Sequence, residues 1–241
     1  MTRDFSQIWE MIASNIKDAI IQGALPPGAR LKVEEIAARY GVSATPVREA
    51  FHHLANLGFV QNIPRRAVIV REITVADLEH LYAVQILLEG LAVRLAVENA
   101  SNGDGRKLDA VFRRLERALR EGNLKKYIQA DAEFHEFFLR RSGNPYLQRI
   151  VANTRDHIAR HRHLMLSVPG RAEESFRQHA AIVAAFKARD PEAGEAAMRE
   201  HHASSLRLLK ERYARDAAKG GPEGPWSPEP NPPHPPSGGP P

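Results

Sequence analysis

The chain has 241 residues, longer than the usual single domain of roughly 100–200, and carries 34 Lys+Arg against 29 Asp+Glu for a formal charge of +5. That basic excess fits a nucleic-acid partner without requiring one, since residues 1–72 hold only nine basic and seven acidic side chains. With no cysteine, a disulfide framework and any thiolate metal site are excluded, and the expected location is the reducing cytoplasm.

From about Gln7 to Ile21 the residues Ile8, Met11, Ile12, Ile16 and Ile20 recur at helical spacing, and GALPPG (23–28) ends the pattern. Asp4 and Glu10 interrupt this N-terminal stretch and no apolar run reaches about 18 residues, so neither secretion nor a membrane span is expected. A short second helix is predicted over Val33–Tyr40, stopped by Gly41. Ser43 is placed to cap a third helix, Ala44–Leu57, with Pro46 in its first turn, where no amide partner is needed. Val47, Phe51 and Leu54 then face a core, leaving Thr45 and Arg48 outside. Beyond Gly58, the segments Phe59–Ile63 and Ala67–Val70 are joined by Pro64, Arg65 and Arg66 as a two-stranded hairpin. Three helices with a short turn between the last two, followed by a hairpin, make a winged helix-turn-helix over residues 1–72.

The remainder, 73–215, reads as helix throughout, beginning with a capping box at Thr74 and Asp77. Leu78, Leu81, Gln85, Leu88, Ala92 and Leu95 form one stripe, and further helices follow at about 104–121, 124–142, 145–166, 171–189 and 191–214. The fold class expected is mainly α, a winged helix-turn-helix followed by an antiparallel bundle of about six helices. Residues 216–241 are dominated by Pro and Gly, too polar to offset their ordering entropy, and are expected to be a disordered tail.

The stretch from Gly28 to Val70, with PGARL, EEIAARYGVSATPVREAFHHLANLGFV and RRAVIV, resembles the winged helix of the GntR regulator family, and the helical remainder resembles the effector (FCD) domain of its FadR-like branch. The resemblance implies a homodimeric transcription regulator, binding double-stranded operator DNA and answering to a small metabolite. In that reading Ser43, Thr45 and Arg48 project from the third helix toward the major groove, while Arg65 and Arg66 reach the backbone or minor groove from the wing. Two positions depart from the family's usual residues: Ala44, where Arg is common, and Ala67, where Gly is common at the wing tip.

In the helical domain the inward stripes are interrupted by ionisable groups. Asp131 and His135 share one face of helix 124–142, His179 lies among Phe176, Val183 and Phe186, and His201 follows Met198. Buried singly, each would need its own partner; one divalent cation satisfies all four, and nitrogen and carboxylate ligands suit Zn²⁺, with Ni²⁺ or Mn²⁺ as alternatives. The same four match the family's metal pattern, which favours His201 over its neighbour His202. A metal anchoring a carboxylate effector is what the resemblance implies, with Gln85, Arg155 and Arg162 as effector contacts. His157, His161 and His163 read as pocket-lining or core residues. The alternative class is a metal-dependent hydrolase or lyase, against which the inward stripes offer no clear extra general base.

Overall fold

The computed structural model describes residues 5–63, 67–166 and 168–218, with side chains for all of these except 5, 6, 160, 161, 163, 164 and 216–218. Arg65, Arg66, the imidazoles of His161 and His163, and residues 219–241 of the expected tail therefore lie outside the described residues.

The N-terminal unit comprises α1 (Phe5–Ile21), β1 (Arg30–Leu31), α2 (Val33–Tyr40), α3 (Ala44–Asn56), β2 (Val60–Ile63) and β3 (Ala67–Val70). Ile12, Ile16 and Ile20 of α1 meet Val47, Phe51 and Leu54 of α3 over a sheet contributing Leu31, Val60 and Val70. Gly41 ends α2 in the left-handed conformation, φ 64°, and its amide bonds back to the Ala37 and Ala38 carbonyls. Ser43 stands at the N-cap of α3 with extended backbone, but its hydroxyl makes no capping hydrogen bond, contrary to the sequence expectation. The strand β1, absent from the sequence reading because two residues show no alternation, pairs antiparallel with β3 and gives the sheet order β1-β3-β2.

The second unit is built from α4 (Val75–Glu98), α5 (Asp104–Arg120), α6 (Leu124–Arg141), α7 (Pro145–Leu166), α8 (Arg171–Ala188) and α9 (Pro191–Ala218). Thr74 and Asp77 form the expected capping box, and α9 runs past the expected end at 214. One 18-residue window of α4 has mean hydropathy 1.4, long and apolar enough to cross a membrane, which the sequence reading had not expected of any segment. The helix is instead the spine of the bundle, packed against α6, α7 and α9, with Gln85 and Glu89 wholly buried near its middle. Its approach to α9 uses two glycines: a Cβ at Gly90 would sit 2.9 Å from Arg199 Cγ, and one at Gly194 would sit 2.9 Å from Val93 Cγ1.

The units meet through α7. Lys17 Nζ is 2.6 Å from Asp156 Oδ2, and His157 stacks on Phe59 with ring centroids 4.4 Å apart. His157 Nε2 lies 2.6 Å from the Leu57 carbonyl oxygen, so that nitrogen donates a proton. His157, expected to be pocket-lining or core, lines a surface pocket with Gly58, Arg71 and Asp77 where the two units meet.

Burial holds the His157 imidazole below its ordinary value of 6.5, with the nearby Arg71 cation adding to that and the Leu57 carbonyl, Asp156 and Asp77 opposing it. A depressed folded-state value means that the contact favours the neutral ring. Its contribution is intact above about pH 6.5 and is lost as the pH falls from there toward the depressed value. Amide hydrogen exchange at residues 57–59, corrected for intrinsic rates, should accelerate between pH 7.5 and 5.5 in the native chain and lose that dependence in His157→Ala. A flat native profile would contradict this.

Candidate metal and effector site

Four helices deliver the ionisable groups to one place. Asp131 and His135 on α6 are one turn apart, as are the inward-facing Ser175 and His179 on α8; α9 contributes His201 and His202, and α4 contributes Gln85 and Glu89. All six acidic and imidazole side chains in this set are at most 6% exposed. Ring centroids of His179 and His201 are 4.5 Å apart, and those of His135 lie 5.4 and 5.3 Å from them. Each of these three histidines offers a nitrogen within 4.8 Å of the other two. Asp131 Oδ1 stands 3.5 Å from His179 Nε2 and 3.9 Å from His135 Nε2. The three histidines predicted as ligands are thus brought together, with Asp131 beside two of them.

Their partners are incomplete in a specific way. His135 Nε2, both ring nitrogens of His179 and Asp131 Oδ2 are buried without a hydrogen bond, although Arg162 Nη1 approaches Asp131 Oδ2 as an ion pair at 3.0 Å. The opposite nitrogens of two rings are spoken for: His135 Nδ1 is 2.5 Å from Glu89 Oε2, and His201 Nδ1 is 3.0 Å from Gln178 Oε1. Both acceptors require the proton on Nδ1, leaving each Nε2 lone pair unprotonated.

Burial would raise the Asp131 carboxyl, but Arg162 and the imidazoles of His135 and His201 outweigh it and hold the group below its usual value. Burial, followed by neighbouring positive groups, drives His179 and His201 well below 6.5. An ionised carboxylate beside the neutral imidazoles of His179 and His201 is the protonation state that a borderline divalent cation needs. Tetrahedral bonds of about 2.0–2.1 Å place ligand atoms roughly 3.3 Å apart, close to the 3.5 Å between Asp131 and His179. The orphaned atoms and the donor set therefore fit such an ion.

Beside these residues is a cavity of about 30 Å³ lined by Tyr82, Asp131, Arg162, Arg171, His201 and His202, among others. Of the three residues predicted to contact an effector, only Arg162 reaches it. Gln85 is fully buried with both ends of its amide engaged: Thr154 Oγ1 donates to its Oε1 at 2.6 Å, and its Nε2 donates to Glu89. Arg155 pairs with Glu136 at 3.2 Å and donates to the Ala132 carbonyl at 3.0 Å. Sequence reasoning passed over Glu89, Gln178 and Arg171; the last is 6% exposed and donates to Ser205 Oγ at 2.7 Å. A second helical stripe on α4, Tyr82, Gln85, Glu89, Val93 and Ala96, was the signal for Glu89, since all five are buried.

On the other unit, Ser43, Thr45 and Arg48 are exposed at the start of α3, on the side away from Val47 and Phe51. The hydroxyl of Ser43, not used for capping, is available to an external partner.

Comparison with known proteins agrees with this two-part layout. Residues 9–70 match the family model for bacterial regulatory proteins of the gntR family, and residues 80–204 match that of the FCD domain. The chain is 28% identical to the Escherichia coli HTH-type transcriptional regulator McbR over 85% of its own length and 93% of that protein's. It is 32% identical to a Paenarthrobacter nicotinovorans protein described as a "probable D-xylose utilization operon transcriptional repressor", over 81% of this chain and 87% of the other. Among solved structures, that of E. coli McbR/YncC aligns with TM-score 0.72 and 27% identity, covering 86% of this chain and 98% of the other. The chain belongs to the gntR family of bacterial regulatory proteins, in its FCD-domain branch, and is a transcription regulator rather than an enzyme.

Proposed function

We propose that the chain is a cytoplasmic, homodimeric repressor whose hold on operator DNA is controlled by a small carboxylate metabolite bound beside a divalent metal. The observation that carries this reading is the set of orphaned buried atoms, His135 Nε2, both nitrogens of His179 and Asp131 Oδ2, next to a cavity lined by two arginines. Asp131, His135, His179 and His201 would hold the ion, Zn²⁺ being the best match with Ni²⁺ or Mn²⁺ as alternatives. Bound there, the ion supplies a Lewis-acidic anchor for an effector oxygen. Arg162 and Arg171 would bind the effector's carboxylate.

On the DNA side, Ser43, Thr45 and Arg48 of α3 would enter the major groove while Arg65 and Arg66 of the wing meet the backbone or minor groove. For the homodimer, Val84, Leu87 and Leu91 form an apolar stripe on α4 that is 43, 55 and 37% exposed, and Ile150 on α7 adds a further 50% exposed side chain. Such surface on a water-soluble regulator favours a second copy as its cover.

Three outcomes are expected. In fluorescence anisotropy, the protein binds duplex from its own upstream region more tightly than a scrambled duplex, and Arg48→Ala weakens the specific complex by about 1–3 kcal/mol; equal affinity for both duplexes would sink the α3 assignment. Dialysis against Zn²⁺ with elemental analysis gives one ion per chain, and His179→Ala loses it; an ion retained by that variant would move the site elsewhere. Sedimentation shows a dimer that Leu87→Asp converts to monomer, whereas an unchanged dimer would point to a different face.

A further inference from the structure

Glu89 stands outside the proposed ligand set, yet both of its carboxylate oxygens are engaged by the surrounding side chains. Oε2 is 2.5 Å from His135 Nδ1 and 3.1 Å from His202 Nε2, while Oε1 accepts from Gln85 Nε2 and lies 3.8 Å from Arg155 Nε. Gln85 is in turn oriented by the Thr154 hydroxyl. We propose that Glu89 is the positioning residue of the metal site: its carboxylate fixes the tautomer of His135, aims that ring at Asp131, His179 and His201, and withholds His202 from the ion. The proposal rests on the cation reading above.

The chemistry follows from proton counting. An ionised carboxylate only accepts hydrogen bonds, so His135 must carry its proton on Nδ1, and a neutral imidazole with that proton has a bare Nε2. That Nε2 is the buried atom left without a partner. The same logic applies to His202, whose Nε2 proton goes to Glu89, which leaves that nitrogen no lone pair for the ion. Histidines that bind metals characteristically donate the other ring N–H to a carboxylate or carbonyl, which sets ring orientation and raises ligand basicity.

Glu89, His135 and His202 also form a cluster within 4.8 Å of one another and could be read as a second cation position. Separations argue against it. The 2.5 Å between Glu89 Oε2 and His135 Nδ1 is a hydrogen-bond distance, shorter than the roughly 3.3 Å between two ligand atoms around one tetrahedral ion. Around Asp131 the 3.5 and 3.9 Å gaps are those of atoms awaiting an ion between them.

The test titrates ion-free native protein, Glu89→Gln and, as a control, Glu136→Gln with Zn²⁺ in a calorimeter at pH 7, checking each variant's fold by circular dichroism. Native protein and Glu136→Gln should bind one ion with the same affinity, and Glu89→Gln should bind one ion about 10–100-fold more weakly. Nitrogen NMR of the ion-free native protein should find His135 protonated on Nδ1, a readout that holds even if Glu89→Gln fails to fold. Equal affinity in Glu89→Gln, or a proton on His135 Nε2, would overturn the positioning role while leaving the metal site standing. Two ions in the native protein with one lost in Glu89→Gln would make Glu89 a ligand and overturn it as well. No Zn²⁺ bound by the native protein would remove the metal reading and this proposal together.

Discussion

Asp131 and Glu89 lie in the middle of the helical unit with side chains 3% and 1% exposed, and the placement of the surrounding helices depends on how those two charges are balanced. An ionised carboxylate taken out of water costs several kcal/mol unless opposite charge and hydrogen bonds are supplied at close range. Here α7 supplies both cations, Arg162 at 3.0 Å from Asp131 and Arg155 at 3.8 Å from Glu89, and the imidazoles of α6 and α9 supply donors. Five helices are therefore tied to one polar centre. Moving any of them leaves a charge without its partner, which makes the arrangement specific as well as stable.

The same balance explains why the ligand residues stand poised. Arg162 gives Asp131 a counter-charge but only a misaligned contact, so the carboxylate keeps an unsatisfied oxygen. Nearby, Phe134 lies 4.3 Å from the His179 ring and contributes no acceptor, and both nitrogens of that imidazole are left without a hydrogen-bond partner. Such a site would bind a divalent ion by relieving buried polar groups already positioned, with little ordering left to do.

Much of this was legible in the sequence because the signal was interruption of a clean pattern. Asp131 and His135 break the stripe Tyr127, Phe134, Phe138; His179 breaks Ile182, Val183, Phe186; each helix has one buried face, so an ionisable residue on it stands out. Glu89 did not stand out because α4 is covered by α6, α7 and α9 and has no single inward stripe: Leu78, Gln85 and Ala92 are buried, but so are Tyr82, Glu89 and Val93. Arg171 was missed for a different reason. It opens α8 directly after Pro169 and Gly170, where a basic residue reads as a solvated turn, and only the tertiary fold carries it under Ser205. In the N-terminal unit the helices and hairpin followed from periodicity and Gly/Pro punctuation, whereas β1 exists only through its pairing with β3, a non-local fact.

The two halves of the molecule share α7, and this gives effector control a physical route. One side of the helix presents Thr154, Arg155, Ile158 and Arg162 to the polar centre and its cavity, while the adjoining Asp156 and His157 grip Lys17, Leu57 and Phe59 of the winged unit. The cavity, about 30 Å³, has room for about one water. On the proposed reading, a carboxylate metabolite larger than that space would have to part α7, with Arg162, from α8 and α9 to enter. Because packed helices shift as units, such a displacement would be carried along α7 to Asp156 and His157, about one and a half turns away, on which Lys17 of α1 and Leu57 at the end of α3 rest. Coupling of this kind needs no contact between effector and DNA: it needs a single helix whose position both sites read.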